Sequence, residues 1–229
     1  MSTYILQIDT ATEVCSVSLS LDGQVIHKME ATEPNLHASK LTVFIDELLR
    51  NAKLSYADLS AVAVSKGPGS YTGLRIGVST AKGLCYALDI PLLAVNTLAS
   101  MFKGYASTYG LADNSLYVPM LDARRMEVYM MVYNHHGEVL QPTEAVIMDV
   151  DTFQPFANQK IILFGSGALK LKDLYSQSAP VQVDTSYKHS SSYLAESAFE
   201  KFEKQDFEDL IYFEPFYLKE FIATTPKAK

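Results

Sequence analysis

The residues best placed by type and spacing to do chemistry lie in the run Lys66-Gly67-Pro68-Gly69-Ser70-Tyr71-Thr72-Gly73-Leu74-Arg75-Ile76-Gly77. A glycine-rich turn between a strand and a helix start presents backbone N–H groups that can hold an anion such as phosphate. Gly67 and Gly69 allow backbone angles closed to residues with a Cβ, and Pro68 stiffens the turn between them. The spacing fits neither standard nucleotide motif. A P-loop needs a lysine after its second glycine, and none follows Gly73; a dinucleotide fingerprint needs Gly-x-Gly-x-x-Gly, and this run is one residue too long. The plainer reading is a tight turn and a closely packed helix without a ligand, because Gly73, Gly77 and Ala81 make a row of small residues on one helix face.

Asp9 closes the first apolar run, at the carboxyl end of a strand, where α/β folds place their ligands. With Thr10 and Thr12 it forms a weak phosphate-loop candidate, able to hold a phosphate or a hydrated magnesium ion; the plainer reading is a turn satisfied by its own side chains. Metal chemistry is not expected. His37 stands near a helix start, but the i+4 position of a two-histidine site is Leu41. His135 and His136 are adjacent in a turn, and His27 and His189 stand alone. Asp122, Arg124, Arg125 and Glu127 could clamp an anion, although a salt-bridged turn is the more economical reading. No serine occupies a Gly-x-Ser-x-Gly elbow. Cys15 and Cys85 lie in apolar patterns that do not activate a thiol. No catalytic residue is therefore assigned.

The elements that must position these residues can be read from periodicity. Tyr4 to Asp9, Val14 to Leu21 and Gln24 to Ala31 form a three-strand meander turned at Asp22-Gly23. Leu36 to Lys53 is a helix with Leu41, Phe44, Ile45, Leu48, Leu49 and Ala52 on one stripe. Ala61 to Val64 is a strand, a second helix runs to about Leu88, and Leu92 to Val95 is a further strand. Thr97 is expected to cap a helix reaching about Tyr109. A second series follows: strands at Leu116 to Leu121, Met126 to Tyr133 and Lys160 to Phe164, then helices at Ala168 to Tyr175 and Ser192 to Lys204. Strands first and alternating helices and strands after, twice over, predict an α/β protein of two related lobes. The first lobe is expected over 1–109. The second, smaller lobe is expected over 110–229, with the segment from about 212 to 229 returning to the first.

With 229 residues and 48 % apolar content, the chain can bury substantial cores. Its net charge of −7 disfavours direct nucleic-acid binding, which Lys and Arg dominate. Two cysteines suit free thiols in a reducing compartment. Neither a signal peptide nor a membrane span is expected, and the chain reads as cytoplasmic.

Ile8-Asp9-Thr10-Ala11-Thr12-Glu13-Val14-Cys15-Ser16-Val17 resembles the opening of the TsaB/YeaZ family, and Gly67 to Gly77 resembles that family's central motif. Asn96-Thr97-Leu98, Asp122-Ala123-Arg124-x-x-Glu127-Val128-Tyr129 and Glu214-Pro215-x-Tyr217-Leu218 fit as well, in the same order. The resemblance implies a two-lobed ASKHA fold, as in actin and sugar kinases, with a reduced second lobe. It implies a non-catalytic role in making threonylcarbamoyladenosine (t6A) beside the tRNA anticodon, as partner of the paralogue TsaD and the ATPase TsaE, with tRNA touched only indirectly. Carried over, the partner-binding face comprises Leu41, Phe44, Ile45, Leu48, Gly73, Leu74, Gly77, Val78 and Ala81, and the same face could pair two copies of this chain. No tightly bound cofactor is implied, although a nucleotide at the partner interface is compatible with the family. The main rival is an ATP-dependent small-molecule kinase of the same fold; a metallopeptidase, a label once given to this superfamily, lacks its histidine pair here.

Overall fold

The computed structural model describes residues 2–32 and 36–218. It holds two five-stranded sheets of the same design. In the first, β1 (Tyr4–Asp9) is flanked by antiparallel β2 (Cys15–Leu21) and parallel β4 (Ala61–Gly67), with β3 (Gln24–Ala31) and β5 (Leu92–Asn96) at the edges. In the second, β6 (Ser115–Asp122) takes the central place, between antiparallel β7 (Glu127–Asn134) and parallel β9 (Lys160–Phe164), with β8 (Val139–Ile147) and β10 (Val181–Asp184) outside. The duplicated order is that of an α/β protein of two related halves. Asp22 and Gly23, both at positive φ, make the expected β2–β3 turn.

The two halves differ in their helices. The first carries α1 (Leu36–Ala52), α2 (Tyr71–Leu88) and α3 (Thr97–Tyr109). Among its described residues the second carries only the four-residue α4 (Ser166–Leu169) between its parallel strands, then α5 (Ala195–Glu203). The helix expected to reach Tyr175 thus ends at Leu169, and β10 had no strong signal because it is four residues long. Asn96, not Thr97, caps α3: its side chain accepts from the Ala99 N–H at 3.1 Å, and Thr97 becomes the first helical residue.

Period-2 alternation decides what each face of β1 meets. Leu6 and Ile8 face α1 and α2, in a core with Leu41, Ile45, Leu48, Val78 and Ala81. Ile5 faces the opposite side, where Ala198, Phe199 and Phe202 of α5 cover it. Helix α3 buries Leu98, Met101, Phe102 and Tyr105 on the second sheet. Each half therefore sends its last helix onto the other's sheet, and the division at 109/110 follows sequence but not packing. The returning chain ties down further: Phe216 N–H donates to Lys66 O at 2.7 Å, Lys82 Nζ donates to Phe213 O at 3.0 Å, and Tyr217 lies against Tyr71. The remainder of the returning segment, 219–229, lies outside the described residues. No helix among the described residues is long and apolar enough to cross a membrane.

Candidate functional site

The glycine run serves close packing. A Cβ at Gly73 would stand 1.9 Å from Thr10 O, one at Gly77 2.3 Å from Thr10 Oγ1, and one at Gly69 2.4 Å from Ala11 O. The three glycines line the turn after β1, and Ser70 N–H donates to Ala11 O at 2.7 Å. Gly69 is required for space, not for its backbone angle; Gly67, at φ +110°, is the residue that needs the angle. Ser70 caps α2 by accepting from the Gly73 N–H. The loop spends donors on the β1 turn and on its own cap.

The phosphate-loop candidates are occupied in the same way. Thr10 Oγ1 donates to Gly73 O at 2.7 Å, and Thr12 Oγ1 accepts from the Val14 N–H at 3.2 Å. Asp9, fully buried, accepts from the Ala11 N–H at 2.9 Å. Its other oxygen lies 2.7 Å from His189 Nε2. His189 therefore does not stand alone, as its sequence context suggested. Alternation turns Asp9 to the α5 side of the first sheet, and the segment joining β10 to α5 crosses that face with His189 pointing at it. His189 Nδ1 lies 3.1 Å from Tyr187 Oη, completing an Asp9–His189–Tyr187 chain. Burial pulls the His189 imidazole down, but the Asp9 charge and hydrogen bond, with Glu13 and Glu30 nearby, outweigh it and hold the group above its ordinary value. Burial pushes the Tyr187 phenol well above its ordinary range. The neighbouring segment is tied as firmly: Ser191 N–H donates to Ser16 Oγ at 2.8 Å, and Ser190 Oγ donates to Glu30.

Beside this chain a cavity of about 280 Å3 opens between the halves, lined by Thr12, Glu13 and Glu30 from one and by Leu121, Asp184 and Lys188 from the other. Asp184 lies below the ordinary carboxylate value: burial opposes this, but hydrogen bonds from Ser186 and from Tyr105 Oη prevail.

The Asp122 cluster is a bonded turn with a different cation from the one expected. Lys170 Nζ, 2.5 Å from Asp122 Oδ1, supplies the salt bridge, and Arg124 contributes its backbone N–H at 2.8 Å while both arginine side chains are exposed. Cys15 and Cys85 are buried free thiols, raised by burial to about 11 and about 12; the Asp9 charge adds to the first. No group of three or more His, Cys, Asp or Glu side chains able to hold a metal ion occurs among the described residues.

The residues expected at the partner face lie largely inside this chain. Leu41, Ile45, Leu48, Gly73, Leu74, Gly77, Val78 and Ala81 are buried within this chain, and Phe44 is half-buried against the same core. The stripes of α1 and α2 face their own sheet, as the apolar faces of most helices do. What α2 turns outward is Thr72, Arg75, Ser79, Gly83 and Ala87, with Tyr86 84 % exposed among them. Apart from its own helix backbone, no atom of the described residues lies within 4 Å of where a Gly83 Cβ would stand.

Residues 31–226 match the family model described as TsaD, tRNA N6-adenosine threonylcarbamoyltransferase. The tRNA threonylcarbamoyladenosine biosynthesis protein TsaB of Escherichia coli (strain K12) is 38 % identical over 149 residues, 62 % of this chain and 62 % of that protein. The protein of the same name from Haemophilus influenzae is 32 % identical over 161 residues, 68 % of this chain and 66 % of its own length. The chain thus spans just under two thirds of these curated relatives. YeaZ from Pseudomonas aeruginosa superposes with a TM-score of 0.78 at 27 % identity, covering 94 % of this chain and all of that one.

Proposed function

We propose that this chain, which belongs to the TsaD family, is a non-catalytic subunit in t6A biosynthesis that binds and activates a TsaD-like paralogue, in a larger assembly with a TsaE-like ATPase. The relatives named for t6A biosynthesis support the pathway. Support for a binding role comes from the loops after β1 and β4, whose polar groups are largely spent on each other. The observation that carries the interface is Gly83. A glycine inside a helix costs about 0.5–1 kcal/mol relative to alanine, and outside its own helix backbone nothing among the described residues approaches it closely. Flanked by Ser79 and Ala87, it forms a flat outer strip on which a second helix can lie, with Tyr86 as an aromatic anchor. The partner face is therefore the outer side of α2, together with Thr42, Val43 and Asp46 on the exposed side of α1, and not the buried stripe. The same strip can pair two copies of this chain when the paralogue is absent.

The test uses reconstituted t6A formation from tRNA, threonine, bicarbonate, ATP, the carbamoyl-adenylate synthase, the TsaD-like protein and the TsaE-like protein. Product should require this chain. Gly83→Leu should keep or slightly raise the wild-type melting temperature, fail to co-elute with the paralogue on size exclusion, and lose product formation. Full activity and co-elution of a folded Gly83→Leu protein would sink the interface; product formed without the chain would sink the function.

A further inference from the structure

The cavity between the halves has a charge pattern that the partner-binding role does not use. Three of its charged groups are already committed: Glu30 to Ser16 and Ser190, Asp184 to Tyr105 and Ser186, and His189 to Asp9. Two lining groups remain, Glu13 and Lys188, and neither makes a hydrogen bond or ion pair among the described residues. They are opposite in sign, they come from different halves of the chain, and they are farther apart than a direct ion pair. The lining also carries apolar side chains, Val14, Met101, Leu121 and Leu169, beside the polar Thr12, Ser166 and Tyr187. At about 280 Å3 the space falls just below the range of about 300–1,000 Å3 in which drug-sized ligands are held. A triphosphate would bring several negative charges against a single uncommitted cation, beside three carboxylates.

We propose that this cavity binds a free α-amino acid with an apolar side chain, its ammonium paired with Glu13, its carboxylate with Lys188, and its side chain against Met101 and Leu121. Each uncommitted charge then finds one partner, and the ligand arrives and leaves with no net charge. Because Glu13 and Lys188 belong to different halves, the occupied site joins them through the ligand. The assignment goes beyond the partner-binding role and is read out on the isolated chain, so either can fail without the other.

Isothermal titration of the full-length chain with each proteinogenic L-amino acid, and separately with ATP and inorganic phosphate, tests it. At least one apolar amino acid should bind saturably, and its N-acetyl and methyl ester forms should each bind about tenfold more weakly or less, since each removes one charge. Glu13→Gln and Lys188→Met should each weaken binding about tenfold in a chain that still melts cooperatively, because both side chains are exposed. Absence of binding by every amino acid would overturn the proposal. So would binding indifferent to both variants and both analogues, or preferential binding of ATP or phosphate that Lys188→Met weakens and Glu13→Gln strengthens.

Discussion

His189 is one of the side chains that tie the segment crossing between the halves to the first sheet. It is buried against a fully buried carboxylate, 2.7 Å away. The groups that face it are Asp9, Tyr187, Tyr193, Glu13 and Glu30. Because its folded-state value lies above the ordinary imidazole value of about 6.5, the protonated form is favoured by folding. The resulting stability is present in full below pH of about 6.5 and is lost as pH rises through the raised value. Urea unfolding measured from the mildly acidic to the alkaline range should show stability declining across that window. Asp9→Asn should flatten the decline and destabilise by about 3 kcal/mol, the cost of leaving half of a buried pair. A wild-type profile that rises through neutral pH would contradict the pairing. Sequence could not disclose it. Asp9 was legible as a strand-end carboxylate, but 180 residues separate it from His189, and no local pattern marks a histidine in an irregular crossover as its partner. The same holds for Lys170, whose bridge to Asp122 joins positions 48 apart.

Helix α2 shows what a periodic pattern fixes and what it leaves open. Its span and the row Gly73-Gly77-Ala81 were legible, because both depend only on neighbours along the helix. Which structure the row faces depends on the third dimension, and the turn after β1 proved to fill it. Substitutions along the one helix should therefore differ in sign. Gly73→Ala places a methyl group 1.9 Å from a backbone oxygen; the overpacking should cost about 2–3 kcal/mol, and thermal unfolding would register it. Gly83→Ala enters open space and replaces a flexible residue in mid-helix, so it should stabilise the isolated chain by about 0.5–1 kcal/mol. Equal effects at the two positions would show that the helix is rotated from the orientation described. Elements with strong periodicity were the ones recovered closely: α1, α2, α3 and β9 end within a residue or so of their expected bounds. Those with little length to average over, α4 and β10, were misjudged or missed, and so was the nine-residue edge strand β8, whose mixed exposure breaks the alternation.

At the scale of the molecule, duplication was legible and exchange was not. Strand–strand–strand followed by alternating elements occurs twice in the sequence, and two sheets of identical order result. The amphipathic stripes of α3 and α5 guaranteed that each helix would cover a sheet but carried no label for which. In the fold, α3 covers the second sheet with Leu98, Met101, Phe102 and Tyr105, while Ile5, Ala61, Ala63 and Leu93 of the first sheet wait for α5. A fragment of residues 1–109 would thus expose two apolar faces at once, one on its sheet and one on its last helix. Uncovered patches of that kind drive association instead of folding. The fragment should lack a cooperative thermal transition and aggregate, whereas the full chain should lose near- and far-ultraviolet circular dichroism together in one transition. Mixing 1–109 with 110–229 should restore soluble material only when both are present, since each supplies the other's missing cover. A 1–109 fragment that melts cooperatively as a soluble monomer would mean that the first sheet needs nothing from α5, and the reciprocal packing would then be incidental to stability.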